Sequence, residues 1–190
     1  YMIPPGLSFV AVSQKAWEAS EKSNLPKFYL NLKSYRKSLL NNSNPYTPAV
    51  NLIFALDEAL KMMREEGLDN IFLRHNKHKL AMSNAVKALN LKLFADEKYL
   101  SPSITAITTE GIDAEEFRKT IKKNFDILLA GGQDHLKGKI FRVGHLGYVN
   151  DRDIITVVSA ISNTLLDQGR ITTQKAGEAL TIASKYLKRD

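Results

Sequence analysis

Apolar residues recur at helical spacing through the first half of the chain and gather into short strand-like runs through the second. From Leu25 to Leu40, Phe28, Leu32, Tyr35 and Leu39 fall at steps of four, three and four, which puts them on one helix face, with Pro26 where a helix start tolerates it. The polar run Asn41-Asn42-Ser43-Asn44-Pro45-Tyr46-Thr47-Pro48 breaks the pattern and predicts an ordered loop. Beyond it, Val50, Phe54, Leu56, Leu60 and Met63 predict a long helix that Gly67 stops in a left-handed conformation. A second helix from Asp69 to Leu89 carries Leu68, Phe72, His75, Met82, Val86 and Leu89 as a stripe.

After Asn90 the texture changes. Leu91–Phe94, Ile104–Thr108, Ile127–Ala130 and Ile140–Val143 read as short strands. Asp113, with Glu116 three residues on, predicts a capping box opening a helix through Ile121. Asn150 caps a helix with Ile154, Val158, Ile161 and Leu165 inward, and Thr172 or Thr173 caps a last one with Ala176, Leu180, Ala183 and Leu187 inward. At the other end, Pro4-Pro5-Gly6 forces a turn into Leu7–Val12, a β-rich run that reads as a strand, and Ser13 caps a short helix from Lys15 to Lys22. Strands alternating with helices after residue 90 predict a compact α/β unit.

Composition narrows the function classes. At 190 residues with 44% hydrophobic and 25% charged positions, the chain buries a core without staples and is neither disordered nor bilayer-spanning. It has no cysteine, which excludes disulfides, thiol catalysis and thiolate-held zinc or iron–sulfur centres, and fits a reducing cytoplasm. A start at Tyr1-Met2, without a signal pattern, reads as an excised piece of a longer protein. The net charge of +7 raises an anionic ligand or nucleic acid as partner. The basic residues, however, are dispersed over helices with apolar opposite faces and lack an aromatic platform, so solvated helix faces are expected and nucleic acid is not.

Chemistry-bearing clusters are few. His75 and His78 have a spacing two metal ligands can share, but no third ligand lies nearby and Arg74, Lys77 and Lys79 would repel a cation, so packed or surface histidines are expected and a metal is not. There is no nucleophile elbow, P-loop or dinucleotide glycine fingerprint, and no catalytic residue is identified in this chain. The segment from Gly131 to Gly147 stands apart, because glycine permits close approach to the backbone and Arg142 interrupts an otherwise apolar strand. A guanidinium placed there needs a carboxylate or phosphate ligand, or else an internal salt bridge to Asp or Glu.

Taken together, Tyr1-Met2-Ile3-Pro4-Pro5-Gly6-Leu7-Ser8-Phe9-Val10, the Tyr46-Thr47-Pro48 loop, Gly131-Gly132 and Gly138-Lys139-Ile140-Phe141-Arg142-Val143-Gly144-His145-Leu146-Gly147 resemble the class V, fold-type I aminotransferases that use pyridoxal 5'-phosphate. The nearest kind are the alanine-glyoxylate and serine-pyruvate aminotransferases, including cyanobacterial proteins labelled as the small subunit of a soluble hydrogenase. The resemblance covers nearly the whole chain as the C-terminal half of that fold. It implies the end of the large cofactor domain and a linking helix over residues 1–67, and a small α/β (α+β) domain over residues 68–190. It also implies a homodimer acting on an amino acid and a 2-oxo acid.

The resemblance assigns roles unequally. Thr47 matches the threonine that reaches a neighbouring subunit's cofactor phosphate; a tyrosine found three residues earlier in some relatives is Asn44 here. Arg142 matches the arginine that grips the substrate α-carboxylate, with Gly131 and Gly132 lining the same cleft. The family's cofactor-anchoring lysine precedes the Pro-Pro-Gly turn by five residues, upstream of Tyr1, so the chain alone is not expected to transaminate. Ser13-Gln14-Lys15 looks like the sequence around that lysine but follows the wrong strand, which makes it a decoy. The absence of cysteine disfavours a desulfurase. The alternative is a non-catalytic dimerisation or subunit-interaction module of a redox complex, since hydrogenase clusters themselves need cysteine ligands.

Overall fold

A computed structural model describes residues 1–188, and the chain divides into two compact units, Tyr1–Met62 and Met63 onward. In the first unit the expected strand Leu7–Val12 does not form. A strand needs a neighbour to take its backbone groups, and none of the described residues pairs with it; Phe9 and Val10 remain exposed. Helix α1 spans Gln14–Lys22 and is capped by Ser13, whose Oγ accepts from the Ala16 N–H at 3.2 Å. Helix α2 runs only over Leu32–Leu40, shorter than the spacing predicted. The reason is local: the Asn31 side chain accepts from the Lys33 N–H at 3.2 Å and starts the helix there, leaving Phe28 outside it and exposed. Helix α3, Val50–Glu66, follows the loop as expected, yet neither it nor α1 or α2 contains a buried residue.

The second unit holds the core. Gly67 takes φ +84° and donates to the Met63 carbonyl at 2.9 Å, ending α3 where the sequence indicated. Helix α4 spans Leu68–Ala88 and packs chiefly on α7, Thr173–Leu187, which also lies against α6, Asp151–Asp167. Asn150 and Asp153 form a reciprocal capping box on α6, and Thr172 caps α7. Helix α5, Ala114–Phe125, begins with the Asp113 side chain accepting from the Glu115 and Glu116 N–H groups and ends at Asp126 in the left-handed region.

Four strands form an antiparallel sheet in the order β1-β2-β4-β3: β1 Lys92–Leu93, β2 Ile104–Thr108, β3 Ala130–Gly131 and β4 Ile140–Gly144. The expected strand over 127–130 is corrected to Ala130–Gly131, because the left-handed Asp126 redirects the chain and Leu129 turns inward as a loop residue. Period-two alternation sends Ile107, Phe141 and Val143 into the core with Met82, Val86, Phe117, Ile121, Ile154 and Leu165. The Phe117 and Phe141 rings meet at 5.2 Å between centroids and pin α5 to β4.

Leu128 and Leu129 are adjacent in sequence and opposite in consequence, at 79% and 4% exposure. Leu129→Ala should therefore cost about 2–5 kcal/mol in urea unfolding, while Leu128→Ala stays within about 0.5 kcal/mol. Equal losses would mean that Leu128 is buried as deeply as Leu129, against the inward turn of Leu129 alone.

Candidate functional site

Arg142 sits at the centre of β4 on the face away from the core, because Phe141 and Val143 on either side take the inward positions. Its registered neighbours are Ala106 on β2 and Ala130 on β3. Two residues along the same face is Gly144, where an added Cβ would meet nothing within 4 Å. Small side chains thus surround a half-buried guanidinium. Arg142 Nε donates to the Gly131 carbonyl at 2.9 Å. Among the described residues no carboxylate lies within ion-pairing distance, and Nη1 and Nη2 have no hydrogen-bond partner. The internal salt bridge left open by the sequence is not made among these residues, and the terminal edge of the fork is free to take a planar anion.

What approaches the Gly131-Gly132 backbone is the chain itself. A Cβ at Gly131 would lie 2.5 Å from Arg118 Nη1 and 2.6 Å from Glu115 Oε1. One at Gly132 would strike the Leu136 carbonyl. The glycines let β3 tuck beneath α5 and a short turn at Asp134–Leu136.

The loop leaving β4 is fastened from α4. Arg74 Nη1 donates to the carbonyls of Gly147 at 3.0 Å and Val149 at 2.8 Å, while its Nε and Nη2 hold both Glu66 oxygens at 2.5 and 2.9 Å. The Arg74 guanidinium keeps the Glu66 carboxyl below its ordinary range. His75 Nδ1 lies 2.8 Å from the Ile71 carbonyl, so that nitrogen carries the proton and Nε2 accepts from the Gly147 N–H at 3.2 Å. His78 Nε2 faces Asp151 Oδ1 at 2.9 Å, beside the Lys77–Asp151 pair at 2.9 Å. Burial opposes the Asp151 charge, but bonds from Lys77 and His78 outweigh it and hold its carboxyl below the ordinary value. His145 is fully buried, with Nδ1 3.1 Å from the Pro102 carbonyl and Nε2 2.9 Å from Thr105 Oγ1. His75 and His78 are thus packed histidines, and no group of three His, Asp or Glu among the described residues could hold a metal ion.

In the first unit, Thr47 is exposed in the loop before α3, and its hydroxyl makes no hydrogen bond among the described residues. Tyr46 is committed elsewhere: its hydroxyl donates to the Phe28 carbonyl at 3.1 Å and its ring packs against Phe28, Tyr29 and Tyr35. It is not free to substitute for a tyrosine at position 44. Ser13 serves as the α1 cap and Lys15 is an exposed helix residue. Sequence reasoning missed Arg118, Glu115, Arg74 and Glu66. It also missed the alanine flanks of Arg142, which only the strand register brings together.

No family model matches the chain. It is 54% identical over 187 residues to the soluble hydrogenase small subunit of Synechococcus sp. (strain PCC 6716), covering 98% of this chain and 48% of that protein. It is 34% identical to the serine–glyoxylate aminotransferase of Methylorubrum extorquens, covering all of this chain and 48% of the enzyme. Its fold matches pyridoxamine–pyruvate aminotransferase from Mesorhizobium loti with a TM-score of 0.84 at 26% identity, over 93% of this chain and 46% of that one. The chain spans about half the length of the curated relatives it matches.

The buried histidines make stability depend on pH in a definite direction. Burial, reinforced by the neighbouring His78 and His75, pushes His145 from 6.5 down to about 4. The unfolded chain binds this proton near 6.5 and the folded chain refuses it until about 4. Stability should therefore be flat above that window and fall as pH drops through it, by up to about 3 kcal/mol from this residue. Urea unfolding across a pH series checks this. His145→Gln should leave a shallower slope, carried by His78, whose imidazole burial also pushes down. An unchanged slope would remove His145 as its source.

Proposed function

Starting from a chain whose relatives are serine–glyoxylate-type aminotransferases and soluble-hydrogenase small subunits, we propose that it forms the C-terminal portion of a class V, pyridoxal-phosphate-dependent aminotransferase. The reaction moves an amino group between a small amino acid and a 2-oxo acid such as glyoxylate or pyruvate. Residues 1–67 belong to the end of the cofactor domain and its linking helix, and residues 68–190 to the small domain. The protein acts as a homodimer in the reducing cytoplasm that a cysteine-free chain suits.

The observation that carries this reading is the open guanidinium of Arg142. It is backed by an apolar core, flanked by alanines and partnered only through Nε among the described residues. Nη1 and Nη2 together match the two oxygens of an α-carboxylate, and gripping both fixes the substrate's rotation about its α-carbon. The exposed Thr47 hydroxyl fits a phosphate oxygen and would hold that end of the cofactor. Pyridoxal phosphate, when bound, supplies the electron sink for carbanion formation at the α-carbon. Lys15 is not the anchoring lysine, so the chain alone does not transaminate.

A second reading has its own support. The first unit contains no buried residue and exposes Phe9, Phe28, Ile53 and Phe54, a surface suited to another protein segment. This exposure supports the alternative, a non-catalytic dimerisation or subunit-interaction module of a redox complex.

Both site assignments are testable in the full-length polypeptide carrying this chain. Arg142→Lys keeps the charge but loses the parallel donors, so kcat/KM for amino and oxo acids should fall roughly ten- to a hundredfold, mainly through KM, with folding and cofactor absorbance unchanged. Unfolding instead would restore a structural role. Thr47→Ala should weaken cofactor binding by about 1.5–3 kcal/mol in equilibrium dialysis, the worth of a hydrogen bond to a charged group; unchanged affinity would remove Thr47 from the phosphate site.

A further inference from the structure

The edge that Arg142 leaves open is the one its bond to the Gly131 carbonyl does not use. Strand β3 is two residues long, and a two-residue ladder fixes its position weakly. Yet its Gly131 carbonyl is the partner that occupies Arg142 Nε. The support comes from α5. Arg118 Nε donates to the Leu129 carbonyl at 2.7 Å, immediately before β3, and Arg118 Nη1 donates to Glu115 Oε2 at 2.8 Å. The same pair lies against the Gly131 α-carbon so closely that a methyl group could not enter without displacing it.

We infer that Arg118 and Glu115 are positioning residues that brace β3, so that Gly131 holds Arg142 by Nε and only its Nη1/Nη2 edge meets the substrate carboxylate. This rests on the reading of Arg142 as the carboxylate grip. Three features of the pair suit the task. Arg118 reaches the backbone on the N-terminal side of β3, where no strand partner does. Glu115 neutralises Arg118, so no second free guanidinium competes for the carboxylate. Gly131 is the residue that lets the pair come this near. With Nε already engaged, the fork is restrained before ligand arrives and loses less freedom on binding.

The test uses the full-length polypeptide with arginine labelled at Nε, comparing wild type, Arg118→Ala, Arg142→Lys and the double variant. Without substrate, Arg118→Ala should speed water exchange of the Arg142 Nε–H by about tenfold or more, a readout independent of turnover. With substrate, it should raise KM for alanine roughly five- to twentyfold while kcat stays within about twofold, and leave ethylamine, which lacks the carboxylate, unaffected. In the Arg142→Lys background the same change should add little. Unchanged exchange and KM in Arg118→Ala, or equal losses for alanine and ethylamine, would overturn the inference. If Arg142→Lys reduces the preference for alanine while Arg118→Ala does not, the positioning role alone fails. If Arg142→Lys also leaves that preference intact, the carboxylate reading fails with it. Should Arg118→Ala not fold, Glu115→Ala leaves Arg118 in place without its brace, and an exchange rate and KM raised about two- to fivefold carry the same decision.

Discussion

The second unit depends on the register of β4. Its two-residue period cannot bury Phe141 and Val143 without turning Arg142 to the opposite face, and a slip of one residue would drive the guanidinium into the core. The Phe117–Phe141 contact and the pairing of Ile107 with Phe141 make that slip costly. Core packing and the presentation of an open guanidinium are therefore one constraint, read from two sides of the same strand. The alanines opposite Arg142 belong to the same solution, because larger side chains at Ala106 or Ala130 would crowd the fork that the core has placed there.

Sequence patterns gave a faithful account wherever an element carried its own instructions. Helices α6 and α7 combine a long apolar stripe with caps at Asn150 and Thr172, and both signals act within a few residues; α4 follows its expected stripe only from His75 onward, Leu68 and Phe72 staying exposed. Strands β2 and β4 were legible for a similar reason, as β-rich runs bounded by polar turns. Patterns misled where the outcome depended on a partner or on a competing local bond. Leu7–Val12 has strand composition but no described neighbour to pair with. Phe28 fits a helix face, yet the Asn31 side chain caps the helix after it. Arg142 stood out as a charge in an apolar run, whereas Arg118 and Glu115 looked like any exposed pair three residues apart on a helix. Their meaning appears only when β3 lies beneath them.

The two units share amphipathic helices but differ in whether those helices find cover. Helices α4, α5, α6 and α7 contribute to the buried core, while α1, α2 and α3 bury no residue fully and leave Leu39, Val50, Ile53 and Phe54 exposed. Free apolar surface on this scale is ordinarily retained for contact with other protein.

Both ends of β4 are held by charge-assisted bonds from helices. At the end facing β3, Arg118 and Glu115 brace the backbone that holds Arg142; beyond Gly144, Arg74 clamps the Gly147 and Val149 carbonyls while Glu66 neutralises it. The arrangements are alike: an arginine spends its donors on carbonyls and a single acid. His75 and His145, each with one nitrogen accepting a bond, secure the exit loop. Arg142 then remains a cation whose terminal edge is uncommitted among the described residues, on a strand fixed at both ends. On the function proposed above, such a fork would select a planar carboxylate by shape as well as charge, because it cannot swing to meet an anion that arrives at another angle.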